Sequence, residues 1–169
     1  MTHQNIDEPQ RVKRSFRRLI VNDRAKVGAT AGWVVGAATN VSRMATCPAS
    51  QTASTLVVPI HGLFFGDRIT GYHLMGQIES AGNTVTLDAA LHKATAAAAD
   101  IVAGVITGTG MTQLSVTADT QVDRSNAHKS ITTPEVVSEM GCIYMLITAT
   151  TGASTDIDLI GVAIEVQQM

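Results

Sequence analysis

GCIYMLITATTGASTDIDLIGVAIEV, residues 141–166, is the stretch of the chain that decides its fold. Apolar residues alternate from Cys142 to Thr150, and this period of two predicts a β-strand with Tyr144 and Leu146 on one face. The opposite face carries Ile143, Met145, Ile147 and Ala149. Small residues at 151–154 predict a turn, and Thr155 to Val166 then returns as a second strand. The stretch therefore predicts a long β-hairpin.

The second strand of this stretch changes its apolar phase between Leu159 and Ile160. Ile157 and Leu159 point to one face, whereas the other face receives Ile160, Val162, Ile164 and Val166. Because side chains alternate with a period of two, the switch predicts either burial on both faces or a β-bulge. A hairpin this apolar belongs at the centre of a sandwich or barrel, or in a subunit interface.

The composition predicts one globular domain built from sheets. The chain has 169 residues, of which 45% are hydrophobic and 15% charged. It contains only three Phe, two Tyr and one Trp. The core must therefore consist mainly of small and β-branched side chains, which suit stacked sheets better than a helical bundle.

The chain from Trp33 onward alternates strand patterns with turn signals. Ala81-Gly82-Asn83 predicts a tight hairpin turn, residues 94–99 fit either a loop or a helical turn, and the polar residues 119–133 predict a surface loop. Roughly eight or nine strands without a βαβ rhythm predict an all-β fold, a two-sheet jelly-roll-like sandwich over residues 31–169. The other predicted strands lie at residues 33–35, 41–45, 55–60, 68–80, 84–92, 101–107 and 111–118.

Residues 1–30 form a basic N-terminal arm. They carry seven Lys and Arg against three acids, a balance of +4, whereas the rest of the chain carries five against eleven, a balance of −6. The arm is either a short helix or an extended segment that adds a strand to a neighbour through residues 18–21. A third alternative is a tail that packs on its own body or stays disordered. The helix would have an apolar stripe of Val12, Phe16, Leu19 and Ile20.

Histidines and acids give no convincing metal site. The five histidines lack the paired H-x-H spacing of a cupin-type site, although His73 and Glu79 stand in suggestive positions. Zinc and iron sites need three or four convergent ligands. Asp156 and Asp158 could act as an acid–base pair or as calcium ligands, but acids beside a turn on a half-exposed strand are expected to face water. We therefore predict no metal and no cofactor.

Catalytic motifs are also lacking in the sequence. Cys142 with a histidine could make a nucleophile, but a thiol within an apolar strand is more often packed and inert. Gly108-Thr109-Gly110 is not followed by Lys-Ser/Thr and opens no predicted helix, so it is not a phosphate loop. We predict no catalytic residue and do not expect an enzyme.

The sequence predicts a soluble protein without a membrane partner. Met1 to Asn5 is polar and no apolar segment follows, so no signal peptide is predicted. No apolar run approaches the ~20 residues of a membrane span. Cys47 and Cys142 are then expected to be free, buried thiols in a reducing compartment, with a disulfide between them as the alternative.

Several stretches carry a resemblance to a known group of proteins. Leu56-Val57-Val58-Pro59-Ile60 precedes Gly66-Asp67-Arg68-Ile69-Thr70-Gly71, and the closing stretch contains IYMLIT at 143–148 and DIDLIGV at 156–162. Together with the charged arm and the turn-rich middle, they resemble the jelly-roll decoration (cement) and appendage proteins of tailed bacteriophage virions. The similarity covers most of residues 33–166.

This resemblance implies a non-enzymatic virion protein that is made in the host cytoplasm and placed on the capsid surface. It implies a homo-oligomer, usually a trimer, that sits at capsid symmetry axes and clamps neighbouring major capsid subunits. In such proteins the arm or the base of the jelly roll contacts the shell. The implied partner-binding residues are Arg11, Lys13, Arg14, Phe16, Arg17, Arg18, Leu19 and Ile20.

Three other functions stay open. A self-assembling coat protein of a small virus would hold the genome with the basic arm. The modest +4 charge and the absence of interleaved aromatics make nucleic acid the less expected partner of that arm. A receptor-binding tail or fibre head would place its ligand contacts at residues 119–133. A sugar-binding or hydrolytic jelly roll is disfavoured because aromatic platforms for sugar rings are nearly absent.

Overall fold

The computed structural model describes residues 15–20, 25–36, 44–96, 101–138 and 141–167. Within these ranges the chain consists of strands joined by turns and loops, with no helix. The strands are β1 (Ser15–Ile20), β2 (Lys26–Val27), β3 (Val34–Val35), β4 (Ala45–Cys47), β5 (Ser54–Pro59), β6 (Arg68–Ser80), β7 (Val85–Ala96), β8 (Ile101–Val105), β9 (Leu114–Val116), β10 (Thr120–Val122), β11 (His128–Val136), β12 (Gly141–Thr150) and β13 (Thr155–Gln167).

The strands form two antiparallel sheets. Sheet A has the order β10-β6-β13-β4-β3, with β1 also paired to β13 and β11 also paired to β6. Sheet B has the order β2-β5-β12-β7-β8, with β9 also paired to β7. The facing sides of the two sheets bury one hydrophobic core. The predicted all-β, two-sheet sandwich is confirmed.

The core follows from the alternation along the central strands. Trp33 and Tyr72 are its aromatic members among the described residues, and each directs a polar atom to a backbone carbonyl. The largest fully buried side chains otherwise are aliphatic or thioether groups, consistent with the aromatic-poor composition. They are Met44, Leu56, Ile69, Leu74, Ile78, Leu87, Leu91, Met145, Ile147, Ile157 and Leu159.

β12 and β13 do not pair with each other, so the predicted hairpin over residues 141–166 is wrong. β12 lies in sheet B between β5 and β7, whereas β13 lies in sheet A beside β6. The turn at 151–154 carries the chain from one sheet to the other. Local alternation cannot distinguish this crossing from a hairpin, because a strand buries the same alternate residues in either case. Both strands do occupy the centre of the sandwich, as predicted.

The turn at Ala81-Gly82-Asn83 is a second crossing rather than the predicted hairpin turn, because β6 belongs to sheet A and β7 to sheet B. The two crossings lie side by side. Asn83 Nδ2 donates a hydrogen bond to Ala153 O at 2.6 Å. A Cβ at Gly152 would stand 2.6 Å from the Asn83 Cβ, so glycine is required for this close approach.

The phase switch in β13 is a β-bulge at Ile160. Leu159 pairs with Gly76 and Gly161 pairs with Met75, which leaves Ile160 without an opposite residue. Its side chain is 47% exposed, whereas Val162 and Ile164 are fully buried. Of the two predicted explanations of the phase switch, the bulge is the one observed, but the grouping of Ile160 with the buried residues that follow it is corrected.

The polar segment 119–133 is largely strand, so the predicted surface loop is wrong. β10 pairs with residues 76–78 of β6, and β11 continues along the same edge of β6. A short turn at 123–127 separates the two strands. Edge strands with one solvated face carry many polar residues, which conceals them in the sequence, while Val122 and Ile131 still point into the core.

Several other strand boundaries shift. β7 extends to Ala96 and so includes the first part of the undecided segment 94–99, whereas residues 97–100 lie outside the described residues. The strand predicted at 41–45 is observed at Ala45–Cys47, and residues 41–43 are not described. The strand predicted at 111–118 is limited to Leu114–Val116.

The N-terminal arm is described only in part. Residues 15–20 form β1, in which Ser15 pairs with Gln167 and Ile20 with Val162. Residues 1–14 and 21–24 lie outside the described residues. The conformation of the arm as a whole therefore stays a prediction.

Candidate interaction surface on sheet B

One outer face of the sandwich is unusually apolar, and it belongs to sheet B. The residues of β5, β7 and β12 that alternate with the core residues point away from sheet A. In the strand register, Leu146 lies between Val57 and Ala90. The next row places Tyr144 between Pro59 and His92.

This surface continues towards β8. Cys142 lies beside Ala94, which in turn lies beside Ala103, and His92 lies beside Val105. We call the set the apolar face. Its members are Val57, Pro59, Ala90, His92, Ala94, Ala103, Val105, Cys142, Tyr144 and Leu146.

The apolar face contains no Asp, Glu, Lys or Arg, and Lys26 beside Val57 marks its margin. His92 and Tyr144 stack with ring centroids 5.3 Å apart. Burial lowers the pKa of His92, which favours its neutral form at neutral pH. Rows ~6.7 Å apart on strands ~4.8 Å apart give the face an area on the order of 400 Å². Patches of that size on a monomer are often functional.

The other half of the same sheet surface is polar. The row next to Leu146 places Thr148 between Thr55 and Asp88, and the following row pairs Thr150 with Thr86. The change from apolar to polar thus occurs within one strand, between positions 146 and 148. An apolar region next to a polar one is compatible with the apolar core and polar rim of a protein interface.

A loop with two exposed aromatic residues lies close to the apolar face. Phe64 is 68% and Phe65 71% exposed. Asp67 holds the loop, since its Oδ2 accepts a hydrogen bond from Phe64 N at 2.8 Å and its own N–H donates to Phe64 O at 3.0 Å. Gly66 and Asp67 also exchange backbone hydrogen bonds with Val137. The two phenyl rings are therefore presented on a fixed backbone.

An open groove of about 430 Å³ lies beside this loop and reaches the apolar face at Cys142. Phe65 forms part of the groove wall. The lining is mainly apolar and comprises Ile60, Gly62, Leu63, Phe65, Val137, Ser138, Cys142 and Ile143. The apolar face and the Phe64–Phe65 loop are therefore connected through the groove.

The outer face of sheet A is polar and charged instead. Arg124 Nε lies 3.0 Å from Glu165 Oε1, and His128 Nε2 lies 3.7 Å from Glu165 Oε2. His128 is directly opposite His73 in the register of β11 and β6. Hydrogen bonds from Ser125 lower the pKa of Asp123 in the neighbouring turn. The sequence did not reveal that His73 and His128 meet, because the strand that contains His128 was expected to be a loop.

The acids singled out in the sequence do come together. Glu79, Asp156 and Asp158 offer ligand atoms within 4.8 Å of one another, the one such group of three in the described ranges. Asp158 is only 5% exposed, so its expected position in water is wrong. Thr46 Oγ1 donates a 2.6 Å hydrogen bond to Asp158 Oδ1, which compensates its burial. We assign no metal to this group.

The two cysteines are both free and lie in different sheets. Cys47 is fully buried, and burial raises its pKa to about 11, so its thiol is unreactive at neutral pH. Cys142 is exposed on the apolar face, which corrects the expectation that both thiols are buried. An exposed thiol is nevertheless compatible with the apolar sequence of β12, because the outer face of β12 is itself apolar.

The partner-binding residues predicted in the arm divide into two sets. Arg11, Lys13 and Arg14 lie outside the described residues. Residues 16–20, which include the other five, form most of β1 and pair with residues 162–166 of β13. Their role as shell contacts stays a prediction.

No protein-family model, curated protein or solved structure matches the chain. In the part of the chain that the structure describes, no helix has the length and hydrophobicity needed to cross a membrane.

Proposed function

We propose that this protein is a structural component of a virion, a capsid decoration protein that assembles with copies of itself and binds major capsid subunits. The observation that carries the proposal is the apolar face of sheet B. An uncharged sheet surface beside a fixed pair of phenylalanines suits permanent contact with protein better than contact with water. The resemblance of the sequence to phage decoration proteins supports the virion setting, the capsid surface and a trimeric assembly.

The size of the apolar face is compatible with the centre of an oligomer interface. At ~25 cal/mol per Å², burial of ~400 Å² corresponds to at most ~10 kcal/mol per copy before the costs of association are subtracted. A stable interface buries roughly 800 Å² on each partner. The polar half of the sheet surface and the Phe64–Phe65 loop would provide the remaining area as a rim.

The basic arm is the proposed contact with the shell. Arg11, Lys13 and Arg14 lie just before β1 in the sequence. Ser15, the first residue of β1, pairs with Gln167 at the C-terminal end of β13. Cations next to a strand anchored in the sandwich can bind an acidic surface of a neighbouring capsid subunit, with an affinity that falls as salt rises. The proposal therefore assigns self-assembly to the apolar face of sheet B and shell binding to the N-terminal arm.

The self-assembly part is tested by a pair of substitutions on one strand face. Leu146→Glu puts a carboxylate in the apolar face, and Thr148→Glu puts one in the polar half two residues away. A carboxylate buried without a partner is strongly unfavourable, so Leu146→Glu should reduce the solution mass to the 17.7 kDa of one chain. Thr148→Glu should keep the oligomer, and both variants should keep the β-sheet circular dichroism spectrum. An unchanged mass for Leu146→Glu would overturn the proposed interface.

The shell-binding part is tested by removing residues 1–14, which leaves β1 intact. The shortened protein should keep its solution mass but lose binding to empty capsids in a co-sedimentation assay. Full-affinity binding after the deletion would contradict the role of the arm. Nucleic acid that remains bound to the full-length protein at moderate salt would favour a coat protein instead.

A further inference from the structure

The two phenylalanines of the loop between β5 and β6 have different environments. They are the aromatic members of the exposed large hydrophobic residues in the described part of the chain. Phe65 forms part of the wall of the groove beside the loop, whereas Phe64 does not line that groove. Phe64 is 68% exposed, so most of its ring contacts water in the single chain. A phenyl group is among the side chains that gain most from burial, and Phe64 therefore suits a contact with a partner.

The backbone holds Phe64 in one position. Asp67 N–H donates to Phe64 O at 3.0 Å, which closes a β-turn over residues 64–67. Gly66, the third residue of this turn, has a φ of 88°, close to the ~+80° that a type II turn requires there. A residue on a preformed turn loses little more than the freedom of its own side chain when it binds, which favours the contact.

The groove has the size and polarity to receive a phenyl ring. Its volume is about 430 Å³, whereas an apolar cavity of ~150 Å³ already accommodates benzene. The side chains that line it include the largely buried Ile60 and Ile143, and none of them is charged. Phe65 adds an aromatic ring against which a second ring can pack. The groove is therefore suited to an apolar side chain from a partner.

We propose that Phe64 of one copy occupies the groove of a neighbouring copy, where its ring packs against Phe65 of that copy. This inference rests on the self-assembly proposed above. A copy that covers the apolar face of its neighbour lies beside the groove, because Cys142 belongs to both surfaces. Phe64 and the groove are different surfaces of one chain, so the contact is heterologous. A closed ring of copies then gives each copy one inserted phenylalanine and one filled groove.

The area of the interface is the reason to assign a second copy to the groove. The apolar face provides ~400 Å² of the roughly 800 Å² that a stable interface buries on each partner. The exposed 68% of Phe64 adds on the order of 100–150 Å², and the groove that each copy offers in return adds more. One inserted ring is too small to hold two copies together without the apolar face. Leu146→Glu is therefore still expected to give single chains.

Photocrosslinking of the full-length chain tests the contact directly. Replacement of Phe64 by p-benzoylphenylalanine keeps an aromatic ring at position 64 and, on irradiation, joins it to C–H groups next to it. A covalent dimer of about twice 17.7 kDa should appear on a denaturing gel. Mass spectrometry should locate the crosslink at residues 60–65 or 137–143, the two segments that line the groove. The same replacement at Ile160, which is 47% exposed in sheet A, is the matched control and should leave single chains.

A truncation measures how much the contact contributes to assembly. Phe64→Ala removes the ring and keeps the backbone hydrogen bonds of the turn, whereas Ile160→Ala removes an exposed apolar side chain elsewhere. In a dilution series followed by light scattering, Phe64→Ala should raise the concentration at which half of the oligomer dissociates by at least ~10-fold. Ile160→Ala should leave it unchanged. The same midpoint for Phe64→Ala and the wild type would contradict the proposal.

The outcomes separate this contact from the self-assembly on which it rests. An oligomer that gives no crosslink from position 64, or equal crosslinks from positions 64 and 160, would keep the apolar-face interface and overturn the Phe64 contact. A wild-type mass of 17.7 kDa at every concentration would exclude both. A crosslink that forms only after empty capsids are added would assign the groove to a capsid subunit and would also overturn the proposal.

Discussion

Replacement of Tyr72 by Phe removes one buried hydroxyl that connects the two sheets. Tyr72 belongs to β6 in sheet A and is fully buried. Its Oη lies 2.6 Å from Ala89 O in sheet B and 2.7 Å from Thr109 O in the loop that follows β8. A hydroxyl has a single proton, so it satisfies one carbonyl at a time or is shared between the two.

The expected loss of stability follows from the carbonyls that remain. Ala89 O also accepts a hydrogen bond from Met111 N at 2.9 Å and so keeps a partner. Thr109 O loses the phenol, and a buried acceptor that loses its partner costs ~1–3 kcal/mol. We expect a decrease of about 2 kcal/mol in the free energy of unfolding, or ~4–8 °C in Tm for a chain of this size.

Urea and thermal unfolding followed by circular dichroism would measure the difference, at one protein concentration because the oligomer stabilises the fold. Tyr144→Phe is the matched control, since Tyr144 lies half-buried on the outer face of sheet B and its free energy of unfolding should change by no more than ~0.5 kcal/mol.

The stability of the wild type should also depend on the ionisation of Tyr72. Burial is the larger cause that raises the pKa of Tyr72, and the negative charge of Asp88 is the smaller one. The unfolded chain therefore releases this proton first, and the wild type should lose stability above pH ~10 in a way that Tyr72→Phe does not. Equal urea midpoints for Tyr72→Phe and the wild type would refute the link between the sheets.

Two further predictions concern the bulge and the buried thiol. Ile164→Ala should lower the free energy of unfolding by ~2–5 kcal/mol, because Ile164 is fully buried. Ile160→Ala at the bulge should lower it by less than ~1 kcal/mol. Similar urea midpoints for the two variants would exclude the bulge. Burial raises the pKa of Cys47 from 9.0 to about 11, so between those pH values the unfolded chain loses a proton that the folded chain keeps. The free energy of unfolding should therefore fall by up to ~1.4 kcal/mol per pH unit in this window, and it should fall less in Cys47→Ala. Urea midpoints from pH 8 to 11 would measure both dependences on pH. Identical dependences for the wild type and Cys47→Ala would contradict the prediction.

The fold class could be predicted from the sequence because the alternation along β6, β7, β12 and β13 is a local property. The phase switch at Ile160 was visible too, although the sequence left a bulge and burial on both faces as alternative explanations. The connections were not visible. Whether the turn at 151–154 joins two strands of one sheet or crosses between sheets depends on the packing of distant strands, and the local pattern is the same in both cases.

The candidate surface was only half visible in the sequence. Apolar residues on both faces of the predicted strand, with Tyr144 and Leu146 on one of them, indicated the centre of a sandwich or barrel, or a subunit interface. The contribution of Val57 and Ala90 could not be recognised, because these residues become neighbours of Leu146 only through the strand register. The exposure of Val102 and Val105 in β8 was hidden for a different reason, because an apolar strand is expected to be buried.

The solution mass of the unmodified protein tests self-assembly most directly. Light scattering coupled to size-exclusion chromatography should give a multiple of the 17.7 kDa chain mass, three in proteins of the kind that the sequence resembles, and it should hold on dilution to ~1 μM. A mass of 17.7 kDa at every concentration up to ~100 μM would contradict assembly through the apolar face.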